Sequence, residues 1–138
     1  MSLIEVDELR VAFPGRGWRA KPVEVLHGVS LSVAPGETLG LVGESGSGKT
    51  TIGRAVLGLV KPSGGDIRFD GTSIAGISPR DRRRLSRDIQ VVFQDPYTSL
   101  NPSMTIGDIL AEPLVIQGAT AKDARSRVKT LLDQVGLP

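Results

Sequence analysis

The chain has 138 residues, of which 39% are hydrophobic and 23% charged, and its formal net charge is +2. This balance is typical of one soluble globular domain and excludes a disordered chain. The weak net charge does not support a nucleic-acid-binding surface, and the absence of cysteine excludes disulfides and thiolate metal sites. No apolar run approaches the ~20 residues needed to cross a bilayer, and the acidic N-terminus does not resemble a signal peptide.

The first forty residues predict strands. Residues 4–13 alternate loosely between apolar and polar and predict a strand, and residues 23–33 predict a second one. The Pro- and Gly-rich segment 14–22 between them predicts an exposed loop. After a turn at 34–37, the run Thr-Leu-Gly-Leu-Val at 38–42 is nearly all apolar, which predicts a central parallel strand buried on both faces.

The middle of the chain alternates between helix and strand signals. Helical spacing predicts a helix that Lys61-Pro62 ends; its apolar residues are Ile52, Ala55, Val56, Leu59 and Val60. Asp70-Gly71 predicts a hairpin turn within residues 67–74. Ser78 followed by Pro79 and Asp81 predicts the start of a short, arginine-rich helix, after which residues 90–93 return to strand.

The last third predicts helices. Pro96, Pro102 and Pro113 predict short helical pieces, and residues 120–135 predict an amphipathic helix that starts with a capping box of Thr120 and Asp123. Its predicted apolar face consists of Ala121, Ala124, Val128, Leu131, Leu132 and Val135. The chain as a whole therefore predicts an α/β fold with an all-helical portion that begins near residue 96.

One motif carries chemistry. The segment 43–50 matches G-x-x-x-x-G-K-[ST] in full, with an apolar predicted strand before it and a predicted helix after it. This pattern predicts a phosphate-binding loop for a nucleoside triphosphate. A glycine-rich turn that matches by chance is the alternative, and the strand–loop–helix context disfavours it. The residues assigned to the nucleotide are Gly43, Glu44, Ser45, Gly46, Ser47, Gly48, Lys49, Thr50 and Thr51.

Each part of this loop has a physical reason. Glycines at 43, 46 and 48 predict backbone conformations that a side chain would forbid, so that consecutive amides point inward and bind anions. The helix that begins at Lys49 adds its positive N-terminal end. Lys49 is predicted to place its charge on the β- and γ-phosphates, and Thr50 to ligate Mg²⁺. Thr51 is the weaker candidate for a phosphate contact.

The residues around the loop resemble the ATP-binding subunits of ABC transporters. The matching segments are residues 25–31, 35–43, 57–59, 62–67 and Val91-Val92-Phe93-Gln94-Asp95, which resembles the Q-loop of that family. Residues 96–102 and 109–114 resemble the branch that energises import of di- and oligopeptides. The resemblance covers essentially the whole chain. It implies a P-loop ATPase core, here incomplete, with an antiparallel β subdomain and the start of a helical subdomain.

The resemblance implies roles for three further residues. Gln94 would lie at the junction between a catalytic portion, residues 1–95, and a helical portion, residues 96–138, where its amide reaches Mg²⁺ or the attacking water. An aromatic residue near the N-terminus would stack on adenine. Phe13 is the best match and Trp18 is the rival, while a plain core role for Phe13 also remains open.

Other charged residues receive structural interpretations. Arg82, Arg83, Arg84 and Arg87 predict a solvated, charged helix face, and contact with lipid or an acidic partner is the alternative.

Three family segments do not occur in this sequence. They are the signature Leu-Ser-Gly-Gly-Gln, the apolar strand ending in Asp-Glu that supplies the catalytic base, and the switch histidine. No residue can therefore be assigned as general base, and we expect this chain alone to bind ATP without appreciable turnover. We also expect exposed apolar surface, because the run at 38–42 requires neighbouring strands.

The resemblance implies an ATPase at the cytoplasmic face of a membrane that binds ATP and Mg²⁺. Its implied partners are transmembrane permease subunits, a second ATP-binding subunit in a head-to-tail dimer and, indirectly, a substrate-binding protein, with no nucleic acid. Import of nickel or another small solute is the alternative within the family. A soluble ABC protein that remodels nucleic acid and a small-molecule kinase are the alternatives outside transport.

Overall fold

The computed structural model describes residues 1–138, which form two compact units, residues 1–90 and 91–138. The strands, all in the first unit, are β1 (Ile4–Phe13), β2 (Val23–Val33), β3 (Gly64–Phe69) and β4 (Thr72–Ser73). The helices are α1 (Lys49–Val56) and α2 (Pro79–Leu85) in the first unit, and α3 (Ile106–Ile116) and α4 (Ala121–Gln134) in the second. None of the four helices has the length and apolar character required to span a bilayer.

The four strands form one antiparallel sheet in the order β2-β1-β3-β4. The predicted strands at 4–13 and 23–33 are confirmed with the predicted bounds. The predicted hairpin is also confirmed: Asp70 and Gly71 both have positive φ, 47° and 78°, as a two-residue turn of type I′ requires. Phe69 and Thr72 pair directly across this turn.

A bulge in β1 decides which of its side chains enter the core. Val6, Leu9 and Val11 are all buried, although the step from Val6 to Leu9 is three residues and not two. The pairing register with β2 shifts between Val6 and Leu9, where Glu8 takes a positive φ of 46°. The backbone N–H of Glu8 donates to Ser30 Oγ at 2.9 Å, so the bulge keeps a hydrogen-bond partner.

The core of the first unit lies between the sheet and α1. Its buried members are Val6, Leu9, Val11, Leu26, Ile52, Ala55, Ile67 and Ile74. Ile52 and Ala55 come from α1, three residues apart, so one face of this helix is buried against the sheet. This packing fixes α1, and therefore the loop that precedes it.

Two strand predictions are wrong. Residues 38–42 and 90–93 form no strand, and Val42 and Val92 are 94% and 98% exposed. A parallel strand exists only through hydrogen bonds to neighbouring strands, and no strand of this structure pairs with either segment. The expected exposed apolar surface is therefore present at these two places.

The second unit consists of α3 packed on α4. The prediction that Pro113 interrupts the helix is wrong, because α3 continues through it to Ile116. The helix predicted at 120–135 is confirmed, and the Thr120 hydroxyl accepts from the backbone N–H of Asp123 at 3.2 Å. Of its predicted apolar face, Ala124 and Val128 are buried, whereas Val135 is 69% exposed.

Gly65 and Gly71 provide a matched test of the bulge. Both have a φ of +78°, but a Cβ on Gly65 would lie 2.3 Å from the Glu8 carbonyl oxygen, whereas a Cβ on Gly71 would meet no atom within 4 Å. We expect Gly71→Ala to lower the free energy of unfolding by about 1 kcal/mol through its φ alone. Gly65→Ala should cost about 3 kcal/mol or more, because backbone overlap adds to the same φ penalty. Chemical denaturation measures both, and equal losses would show that the bulge does not constrain Gly65.

Candidate functional site

The phosphate-binding motif folds into a loop that encloses the side chain of Lys49. The Lys49 ammonium donates to the carbonyl oxygens of Gly43 at 2.5 Å and Glu44 at 2.7 Å, and to Ser47 Oγ at 3.2 Å. The backbone N–H of Ser47 donates to the Glu44 carbonyl at 3.1 Å and tightens the turn. Gly43, Glu44 and Ser47 are thus brought together around the charge of Lys49, and Thr50 and Thr51 follow in the first turn of α1.

The three glycines of the loop serve two different needs. Gly46 and Gly48 have positive φ angles of 82° and 101°, which side chains rarely adopt. Gly43 does not have a positive φ, so the prediction of a special backbone conformation there is wrong. Gly43 is needed for space instead: a Cβ at this position would lie 2.7 Å from Ser47 Oγ, inside the loop.

Helix α1 begins at the mouth of the loop without a cap. The other three helices start with a Ser or Thr hydroxyl that accepts a backbone N–H, at Ser78, Thr105 and Thr120. In α1 the capping position is Gly48, and no side chain accepts from the first turn. Since the first N–H groups of a helix have no acceptor within the helix, those of α1 are available to an anion.

Packing behind the loop holds this arrangement in place. Gly48 is buried, and a Cβ there would lie 2.6 Å from Leu26 Cδ2, so strand β2 lies directly against the start of α1. One turn further along, Ile52 and Ala55 are buried in the core. The amide groups at the mouth of α1 are therefore fixed relative to the sheet before any ligand binds.

These features fit the triphosphate of a nucleotide. Backbone amides, a helix N-terminus and one ammonium group converge, while the side chain of Thr50 is exposed in the first turn of α1. No group of three or more His, Cys, Asp or Glu residues suited to a metal ion occurs in the structure. Magnesium at this site would therefore depend on neutral oxygens such as the Thr50 hydroxyl and on the phosphates themselves.

Gln94 belongs to the second unit and lies in an exposed segment outside any helix or strand. The next residue organises that segment: Asp95 accepts the hydroxyl of Thr98 at 2.5 Å and the backbone N–H of Tyr97 at 2.9 Å. The Thr98 hydroxyl, followed by the Tyr97 N–H, holds the pKa of Asp95 below its usual value. Asp95 therefore acts as a turn former and stays ionised at neutral pH.

The two candidate adenine platforms differ in their surroundings. Phe13 is the last residue of β1, pairs with Val23 and is 40% exposed. Trp18 lies in the loop after β1 and is 96% exposed, and the Arg19 guanidinium lies 5.6 Å from the centre of its ring. A ring held at a strand end is the better ordered surface, so the geometry favours Phe13.

Arg82 corrects the prediction of a solvated arginine face. Its side chain is half-buried, and it donates to the carbonyl oxygens of Val56 at 3.1 Å and Ile74 at 2.5 Å. Arg83, Arg84 and Arg87 are exposed, as predicted. Residues 80–87 contain five arginines without a periodicity that distinguishes the inward-facing Arg82, so the sequence alone carried no signal for its burial.

Comparison with known proteins places this site in a family context. Residues 26–138 match the family model described as ABC transporter. The chain is 53% identical to a putative peptide import ATP-binding protein of Brucella ovis, over 87% of this chain and 38% of that protein. It is also 53% identical to the glutathione import ATP-binding protein GsiA of Escherichia coli, over 98% of this chain and 22% of that protein. The chain thus spans well under half the length of these relatives.

Solved structures show the same fold. A dimeric ATP-binding cassette in a post-hydrolysis state, bound to ADP and Pi, superposes with a TM-score of 0.77 at 20% identity, over 98% of this chain and 58% of that one. The cbiO1 protein of Clostridium perfringens, part of the ABC transporter complex cbiONQ, gives a TM-score of 0.73 at 27% identity, over 99% and 51% of the two chains.

Gly48 and Gly53 allow the geometry of the loop to be tested. A Cβ on Gly48 would combine a φ of +101° with the close approach to Leu26, whereas a Cβ on Gly53, inside α1, would meet no atom within 4 Å. We expect Gly48→Ala to weaken binding of Mg-ATP by about tenfold or more, the equivalent of one lost charge-assisted hydrogen bond. Gly53→Ala should keep the affinity and stabilise the protein by up to about 1 kcal/mol. Isothermal titration calorimetry and thermal unfolding measure the two effects. Equal affinities for the two variants would contradict a preformed loop.

Proposed function

This chain belongs to the ABC transporter family, and we propose that it is the ATP-binding part of an ATPase that energises import of di- or oligopeptides across a membrane. The enclosed ammonium of Lys49 at the uncapped start of α1 is the observation that carries ATP binding. The peptide branch is supported by the relatives named for peptide import and for import of glutathione, itself a small peptide.

The residues of the loop divide the work of holding ATP. Lys49 supplies a mobile point charge for the β- and γ-phosphates, whose oxygens replace loop oxygens as acceptors of its protons. The amides from Gly46 to Thr51 surround the same phosphates. Thr50 would hold magnesium through its hydroxyl, and the resemblance of the Gln94 segment to a Q-loop supports a role for its amide in binding magnesium or the attacking water. Bound ATP supplies the phosphoanhydride bond whose cleavage powers transport.

This chain contributes binding but no general base. Glu44 is the only carboxylate in the phosphate loop, and because it is part of the phosphate-binding motif itself we assign it no role as base. We therefore propose that the chain on its own binds ATP without appreciable turnover. Hydrolysis takes place in a head-to-tail dimer of ATP-binding subunits, and the solved cassette that matches this fold is itself a dimer.

The proposed assembly sits at the cytoplasmic face of a membrane. We propose that attachment is peripheral and occurs through transmembrane permease subunits, with a substrate-binding protein delivering the peptide. The cbiO1 relative, described as part of a transporter complex, supports such an arrangement. The transported peptide is selected by these partners and not by the phosphate loop.

Removal of the Lys49 charge tests the proposed function. We expect Lys49→Ala to weaken binding of Mg-ATP by at least about tenfold, because a charge-assisted hydrogen bond is worth about 1.5–3 kcal/mol. Lys61→Ala is the matched control, since it removes the same charge from an exposed position beyond the other end of α1. Titration calorimetry gives both affinities. No saturable binding by the parent protein, or equal binding by Lys49→Ala, would refute the proposal.

Single aromatic substitutions decide which ring stacks on adenine. We expect Phe13→Ala to weaken ATP binding about fivefold, because stacking contributes on the order of 1 kcal/mol, and to leave binding of inorganic triphosphate unchanged. Trp18→Ala should leave both affinities unchanged. Trp18 is the only tryptophan, so its fluorescence provides an independent readout. Strong quenching by ATP, with unaltered binding by Phe13→Ala, would assign the platform to Trp18 instead.

A further inference from the structure

A backbone hydrogen-bond motif terminates α1 at the end opposite the phosphate loop, and it leaves one carbonyl oxygen of the helix without a backbone donor. Leu59 N–H donates to the Arg54 carbonyl at 2.9 Å and Gly58 N–H to the Ala55 carbonyl at 3.0 Å, with Gly58 at a φ of +76°. This is the Schellman arrangement, which satisfies the carbonyls of the last turn. The carbonyl of Val56, the last residue of the helix, receives no backbone N–H from it.

Arg82 provides the missing donor. Its Nη1 donates to the Val56 carbonyl and its Nη2 to the carbonyl of Ile74, which is buried next to the β3–β4 hairpin. The backbone N–H of Ile74 in turn donates to Ile67 of β3 at 2.8 Å. One planar guanidinium therefore connects the end of α1 to the edge of the sheet.

The surroundings show that this place is built for the guanidinium. A Cβ on Gly58 would lie 2.5 Å from Arg82 Nε, so a side chain there would displace the arginine. Burial lowers the pKa of Arg82, as expected for a cation taken out of water. Its charge lies at the negative end of the α1 dipole, where a cation stabilises a helix.

Because α1 has only eight residues, its two ends lie about 12 Å apart. We propose that Arg82 is a positioning residue for the phosphate-binding loop: it holds the far end of α1 against the sheet and so fixes the direction of the amides that receive the phosphates. The inference rests on the proposed binding of ATP. It assigns a role in that binding to a residue outside the phosphate-binding loop.

The test compares Arg82→Ala, Arg82→Lys and Arg83→Ala, the last being the exposed neighbour on the same helix. We expect Arg82→Ala to raise the Kd for Mg-ATP about fivefold, within the range found for residues that act through others. Arg82→Lys should recover part of this loss. Its ammonium can donate to one of the two carbonyl oxygens but lacks the planar fork that reaches both. Arg83→Ala should bind like the parent.

Affinity is measured well below the unfolding temperature of each variant, and amide hydrogen exchange is followed in α1. A merely structural arginine would change the unfolding temperature and leave the Kd of the folded protein unchanged, so that result would overturn the inference. Faster exchange at Leu57 to Leu59 together with a raised Kd supports it. If Arg82→Ala does not fold, Arg82→Lys decides by the same two readouts. If the parent protein does not bind ATP, both the proposed function and this inference are refuted. If the parent binds ATP and the Arg82 variants bind it with the same Kd, only this inference is refuted.

Discussion

The Lys49 ammonium lies inside a loop of its own sequence neighbours, and the rest of the site depends on that enclosure. The three oxygens that accept its protons come from residues two to six positions earlier in the chain. They hold a positive charge close to the uncapped start of α1, so an anion that enters meets charge and helix dipole together. The conformational entropy lost in ordering these groups is therefore lost during folding and not during binding.

The antiparallel sheet matters to this site mainly as a support. Strand β2 places Leu26 directly against Gly48, so the residue that must adopt a left-handed conformation also has no room for a side chain. The bulge in β1 brings Leu9 into the same core as Ile52 and Ala55 of α1. A helix of eight residues has little stability of its own, so its direction is set by what it packs on.

The features that sequence predicted well are those whose causes are local. The cap at Ser78, the Asp70-Gly71 turn and the positive φ of Gly46 and Gly48 each depend on a few neighbouring residues. The strands expected at 38–42 and 90–93 depend on partners distant in the chain, and without a paired strand an apolar run has no ladder to join. Arg82 was missed for the same reason, since its two acceptors lie 26 and 8 residues away.

The same distinction, between interactions of neighbouring residues and interactions of residues distant in sequence, also separates ATP binding from ATP hydrolysis. Every oxygen that holds Lys49 lies within seven residues of it, so the loop can close around its cation although residues 38–42 are not part of a sheet. Hydrolysis also requires a general base and a positioned water, and no residue of the loop is assigned as that base. In the proposed function, phosphate recognition is therefore a property of a short segment on a stable support, whereas turnover requires the assembly.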